Sequence, residues 1–280
     1  MPLNSLITRR AVGARRLRIA VAGVLATLAA EPLRAQTSYY NTDRGRPFSV
    51  QDATPVERFG LDIQLSPIRG SLAVGAKSEY EAEPSIGWGA LPQTQVELGL
   101  PLSFGGPGNS AVALRGVSLS VLHALNVETT EVPALAILAE VALPAGSGSG
   151  RKTRTELGFL ATRSLAGAFR VHLNAHVLVA GADRSATSTD ERWMAGAAVD
   201  KTFPLAGLLV GAETFLRAPS GRNMPSEWTS SVGARRQIAQ RWVLDAGVGR
   251  TFTGVRQATF ASIGLGFSYS WMGPFARGGR

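Results

Sequence analysis

From Gln95 to Phe104 every second residue is apolar: Val96, Leu98, Leu100, Leu102 and Phe104 share one face, and Gln95, Glu97, Gly99, Pro101 and Ser103 share the other. The alternation returns from Phe169 to Val179, with Phe169, Val171, Leu173, Ala175, Val177 and Val179 set against Arg170, His172, Asn174, His176 and Leu178. Near the end of the chain Ala261, Ile263, Leu265, Phe267, Tyr269 and Trp271 oppose Ser262, Gly264, Gly266, Ser268 and Ser270. A period of two belongs to strands, and no helix accommodates it. Weaker alternation marks 57–66, 79–90, 111–125, 133–143, 154–164, 191–203, 206–216, 228–238 and 241–252, which brings the expected total to twelve.

The links between these segments alternate in length. Leu91-Pro92-Gln93, Leu165-Ala166-Gly167, Pro204-Leu205 and Ala239-Gln240 are short, whereas 67–78, 144–153, 181–190 and 217–227 are longer and rich in Gly, Ser, Pro, Asp and Arg. Outer-membrane barrels pair short periplasmic turns with longer external loops in this way. Aromatic residues fall near strand ends, at Trp88, Phe104, Trp193, Phe203, Trp228, Trp242, Phe252, Tyr269 and Trp271, where a membrane interface attracts them. Gly, Ser and charge fill the mid-strand positions of the opposite face, a poor filling for a dry sandwich core. The pattern therefore predicts an all-β fold, a transmembrane antiparallel up-and-down β-barrel of about twelve strands over 57–271, with a tail at 272–280.

Composition removes the alternatives. Apart from the N-terminus, no apolar run approaches the roughly 20 residues that a membrane helix needs. The 32 glycines, often set between aliphatic residues, disfavour helices generally. With no cysteine there is neither a disulfide framework nor a thiolate ligand or nucleophile.

The formal charge of +9 suggests nucleic acid until it is located. Residues 1–35 hold Arg9, Arg10, Arg15, Arg16, Arg18 and Arg34 against Glu31, a net of +5, which leaves +4 for the remainder with no basic stripe interleaved with aromatics. No nucleic-acid partner is expected. The basic stretch ends at Arg18, an apolar stretch runs from Ile19 to Ala30, Glu31-Pro32 breaks it and Ala35 follows. This is the layout of a secretory signal peptide over 1–35, exporting the chain toward the outer membrane. The polar segment 36–56 is left as a plug or a periplasmic tail.

Two resemblances follow from short phrases. Ser262-x-Gly264-x-x-Phe267-x-Tyr269 resembles the terminal-strand signal that outer-membrane barrels present to their assembly machinery, although here residues continue beyond Trp271. Tyr40-Asn41-Thr42-Asp43-x-Gly45-Arg46-Pro47, Pro55-Val56-Glu57-Arg58, Leu91-Pro92-x-Thr94-Gln95-Val96-Glu97 and Leu119-Ser120-Val121-Leu122-His123-x-Leu125-Asn126 are similar to phrases of the transporter-like outer-membrane family labelled as the MetA pathway of phenol degradation. That likeness implies a barrel and a transport role, and it carries over no catalytic residue.

Any solute would be read by the inward face, where the pattern places Glu83, Glu97, Glu140, Glu156, Arg170, His172, His176, Asp200, Glu213, Arg235 and Asp245. These residues either pair across neighbouring strands or form a charged constriction. His172 and His176 lie four apart on one strand, too far for a two-histidine metal clip, so neither metal nor cofactor is expected. Gly146-Ser147-Gly148-Ser149-Gly150 lacks the ending of a phosphate loop. There is no His-x-Ser, no Gly-x-Ser-x-Gly and no His-Glu-x-x-His, and no hydroxyl is expected to flank His123 on the lipid face that it shares with Val121 and Leu125. The resulting expectation is a non-enzymatic passive channel for small solutes, hydrophobic or aromatic ones included, seated in outer-membrane lipid. A lipid-modifying hydrolase and a closed structural barrel are the alternatives.

Overall fold

Alternate residues of a strand point to opposite faces, so a chain with one apolar face per strand buries nothing unless the sheet curls on itself or meets lipid. In the computed structural model, which describes residues 47–73, 78–105, 112–146, 153–180, 191–219, 225–254 and 257–270, twelve antiparallel strands close into a barrel. They are β1 (Gly60–Ala73), β2 (Glu79–Ala82 and Ser85–Leu91), β3 (Thr94–Gly99 and Leu102–Gly105), β4 (Ala113–Leu114 and Val117–Ala124), β5 (Ala134–Leu143), β6 (Arg154–Leu165), β7 (Phe169–Ala180), β8 (Glu191–Phe203), β9 (Leu208–Arg217), β10 (Glu227–Ala239), β11 (Trp242–Thr251) and β12 (Ala258–Ser270). Each strand pairs with its chain neighbours, and β12 closes on β1 from Gly60↔Ser270 to Ala73↔Ala258. The expected leader at 1–35, residues 36–46, the expected loop tip at 147–150, Trp271 and the expected tail at 272–280 lie outside the described residues.

Four strands depart from the expected pattern along one band of the wall. β1 runs to Ala73, so much of the connection expected at 67–78 is strand, and its pairing with β12 shifts register between Gln64 and Pro67. A proline has no N–H to offer a ladder, and a bulge lets the strand pass through it. β2 breaks at Glu83-Pro84, β3 at Leu100-Pro101 and β4 at Arg115-Gly116. Pairing continues across the breaks, because Leu100 N–H donates to Pro84 O at 2.9 Å and Arg115 N–H to Pro101 O at 2.8 Å. The uninterrupted strand read from Gln95 to Phe104 is thus two strands in tandem.

The links Pro92–Gln93, Ala166–Ala168, Pro204–Ala206 and Gln240–Arg241 are tight turns at one end of the barrel. Residues 125–133, at the same end, make a nine-residue connection and break the simple alternation of lengths. It is ordered from within: Asn126 donates to Val127 O and Pro133 O and accepts from Leu135 N–H, while the Arg163 guanidinium donates to Thr129 O and Thr130 O.

The outer face is apolar, with Leu157, Leu173, Val177, Val232 and Ile263 more than half exposed along mid-strand positions. Trp88, Trp193, Phe203, Trp228 and Phe252 are exposed near strand ends. No helix among the described residues is long and apolar enough to cross a membrane. If this face meets hydrocarbon, Leu173→Arg should destabilise the barrel by about 2–4 kcal/mol in denaturant unfolding from lipid vesicles. A loss below about 0.5 kcal/mol, the usual scale of a surface change in water, would show a face that meets water.

Candidate functional site in the lumen

Residues 47–56 of the N-terminal segment run inside the barrel. Phe48, Val50 and Ala53 are at most 1% exposed, and the segment's backbone is held by wall side chains from four strands. Glu213 of β9 accepts the N–H groups of Ser49 and Val50 on one oxygen, each at 2.7 Å, and the Ser231 hydroxyl of β10 on the other at 2.7 Å. Asn174 of β7 accepts Gln51 N–H and donates to Gln51 O, both at 2.8 Å, imitating a strand pair. Thr162 of β6 accepts Ala53 N–H at 2.9 Å, and Gln95 of β3 accepts Val56 N–H at 2.9 Å. A buried N–H left unpaired costs about 1–3 kcal/mol, so each acceptor matters to the segment's position.

The wall leaves room for the segment. Gly211, Gly233 and Gly247 are register partners on β9, β10 and β11 and form a shallow groove. A Cβ on Gly233 would stand 2.8 Å from Pro47 Cβ, and one on Gly196 of β8 would stand 2.8 Å from Val50 Cγ2. Apolar patches on the inner face complete the seat: Phe48 packs with Leu209 and Val243, and Ala53 packs with Leu122, Leu138 and Leu160. This corrects the expectation of a lumen of Gly, Ser and charge alone. The leucines sit at inward positions that alternation assigns to the polar face, and the segment covers part of them.

The charged residues read from the sequence all face inward, in separate groups. Arg170 donates to Asp200 through Nε at 3.0 Å and Nη2 at 2.7 Å, a two-point contact between β7 and β8, and its Nη1 lies 3.4 Å from Asp52 of the inner segment. His172 Nε2 lies 2.9 Å from Asp200, so that nitrogen carries the proton shared with the carboxylate; Nδ1 then faces the Thr162 hydroxyl at 3.0 Å. Arg170, Asp200, His172, Thr162 and Ala53 thereby form one chain of hydrogen bonds from the wall to the segment.

Arg235 and Asp245 pair between β10 and β11 at 2.9 Å, 3% and 2% exposed. His176 and Glu156 pair between β7 and β6 at 2.9 Å. Glu97 accepts from Gln95 at 2.9 Å, Glu83 accepts from Ser118 at 3.3 Å, and Glu140 stands in register between Ser120 and Glu156. Pairing across strands thus accounts for most of the set. Among the described residues no group of three or more His, Cys, Asp or Glu side chains could hold a metal ion.

Two hydroxyl–imidazole contacts escaped the sequence reading, because each joins different strands. Thr94 lies 2.9 Å from His123 Nδ1 on the outer face, which corrects the view that no hydroxyl flanks His123. Thr94 Oγ1 also lies 3.1 Å from Pro92 O, which offers its one proton a second acceptor, and among the described residues no carboxylate meets the other side of the His123 ring. In the lumen, Thr162–His172–Asp200 has the order of nucleophile, base and orienter. There the Thr162 oxygen is capped by Ala53 N–H, and Arg170 clamps Asp200.

Comparisons place this geometry among known folds. No protein-family model and no curated protein matches the chain, so the phenol-degradation label has only its short phrases behind it. Among solved structures, the COG4313 outer membrane channel from Pseudomonas putida F1 is similar at a TM-score of 0.64, with 10% identity over 81% of this chain and 100% of that one. The KdgM porin has a TM-score of 0.52 and 12% identity over 75% of this chain and 99% of its own, and the NanC porin has 0.52 and 10% over 72% and 98%. The chain therefore shares the fold of outer-membrane channels and porins.

Two outcomes test the site. Because the sequence has no cysteine, Val50→Cys gives a single thiol; a thiol reagent should reach it slowly in the native background and at least tenfold faster with Glu213→Ala, whereas equal rates would show that Glu213 does not hold the segment. Arg235→Ala should cost about 3–5 kcal/mol of unfolding free energy, and Arg235→Met with Asp245→Leu should recover most of it. A double variant as unstable as the single one would mean the pair matters for more than charge balance.

Proposed function

We propose that the chain is an outer-membrane channel through which small solutes, hydrophobic and aromatic ones included, move down their gradient, with segment 36–56 as the gate of the lumen. The observation that carries the reading is the docking of residues 49–56 through backbone N–H groups onto Glu213, Asn174, Thr162 and Gln95. Side chains reading a backbone hold a segment in place without making it part of the sheet, which suits an element that moves. The fold shared with channels and porins supports the reading, and so do the leucine patches, which offer apolar solutes a surface inside a polar lumen. The short-turn end is the periplasmic one in this reading. Ser262, Gly264, Phe267 and Tyr269 on β12 would engage the assembly machinery, and the charged inward set, Arg170 and Glu213 above all, would tune gating and ion preference.

The hydrolase alternative has one observation behind it, the Thr162–His172–Asp200 chain, yet the capped and buried Thr162 serves better as a latch on Ala53. Planar-bilayer recording separates the readings. The exported chain should show small or rare conductance steps, removal of residues 36–56 should raise the conductance severalfold, and Arg170→Ala should shift ion selectivity. Silence in every form would support a closed structural barrel; silence with release of fatty acid from lipid would support the hydrolase.

A further inference from the structure

Toward the long-connection end of the lumen, away from the inner segment's contacts with Thr162 and Gln95, the wall lines a half-open cavity of about 140 Å³ between β6, β7, β8 and β9. Glu156, His176, Leu178, Arg192, Met194 and Arg217 line it. Cavities of about 150 Å³ admit a benzene ring, so the space suits one small organic molecule. His176 is 4% exposed, and its imidazole rests against Gly158, where any Cβ would stand 2.6 Å from Nδ1. Glu156 lies 2.9 Å from Nδ1, while Nε2 is buried with no hydrogen-bond partner. Buried polar atoms in native proteins are nearly always satisfied, so an orphaned imidazole nitrogen lining a cavity points to something that binds there.

The surrounding charge says what kind of molecule. The register row Glu97–Ser120–Glu140–Glu156–Leu178–Arg192 is acidic through β6 and then changes sign. Arg217 stands on the adjacent row, in register with Met194. Glu156, the carboxylate at the boundary, faces the imidazole. Arg192 donates to Ala218 O at 3.3 Å, and Arg217 lies 4.0 Å from Met194 Sδ and 3.9 Å from Glu227; a carboxylate in the cavity would offer both guanidinium groups a charge-assisted acceptor. Leu178, in register with Arg192, and Met194, in register with Arg217, add apolar lining.

We propose that this cavity binds a small organic acid, with the carboxylate held by Arg192 and Arg217, an oxygen at His176 Nε2 and the apolar remainder against Leu178 and Met194. The proposal deepens the channel reading and rests on it: the site would select monocarboxylates on their way through the lumen.

The test uses the full chain in lipid nanodiscs, with benzoate as probe and benzamide as its neutral isostere, followed by titration calorimetry. Benzoate should bind at least tenfold more tightly than benzamide, and Arg217→Gln and Arg192→Gln should each weaken benzoate roughly tenfold while leaving the heat-modifiable gel mobility of the folded barrel unchanged. Absence of benzoate binding, equal binding of benzamide, or folded variants that bind like the parent would each overturn the proposal. If a variant fails to fold, the comparison of the two probes on the unaltered chain decides alone. Binding is read without conduction, so the two failures are distinct: benzoate binding in a barrel that never conducts rejects the channel reading, and conduction without benzoate binding rejects the site.

Discussion

A backbone N–H or C=O in the wall of a barrel needs a partner on the neighbouring strand, and that constraint organises this chain. Each strand must be paired on both edges, so the last strand has to find the first, and the β12–β1 ladder does so over the length of β1. Closure then divides the side chains between outside and inside, and the period-two pattern follows from this division. The same demand explains how the wall tolerates Pro84 and Pro101. Their carbonyls still accept from the neighbouring strand, so the breaks bend the ladder without opening it.

Inside the barrel the problem is reversed. The inward residues have limited access to water, and they satisfy one another or the inner segment. Asp200 is approached by both Arg170 and His172, Asp245 by Arg235, and Glu213 by two backbone N–H groups and a hydroxyl. Most of the lumen's polarity therefore maintains a particular arrangement, and the inner segment belongs to that arrangement. Removing the segment would leave Glu213, Asn174 and Thr162 short of donors, a cost that water entering the vacated lumen would offset. A balance of this kind is what a gate requires.

The sequence made the strands legible where one face met a uniform environment. Phe169 to Val179 reads as a strand because the outer face takes an apolar residue at every second position, and the inward Arg170, His172, Asn174 and His176 are legible for the same reason. The tandem break in β3 stayed hidden because Pro101 falls on an inward position and the alternation resumes in phase beyond it. The seat of residues 47–56 was equally hidden: its partners lie far away in the chain, as with Val50 and Glu213, and no local period reports such a contact. Inward leucines at 122, 138 and 160 break the polar face of their strands, and they are where Ala53 packs. Of the site, then, the wall residues were readable and their grouping was not, since grouping depends on register between strands.

The central claim is that the segment inside the lumen controls passage, and a reversible tether tests it most directly. Ala53 N lies 2.9 Å from Thr162 Oγ1, so Ala53→Cys with Thr162→Cys in this cysteine-free chain should form a disulfide that pins the segment to β6. Under oxidising conditions single-channel conductance should fall to the background level, and reductant should restore it in the same bilayer. Conductance indifferent to a disulfide shown to have formed would mean that solutes do not depend on this segment's position, and the account of the lumen as a gated channel would fail.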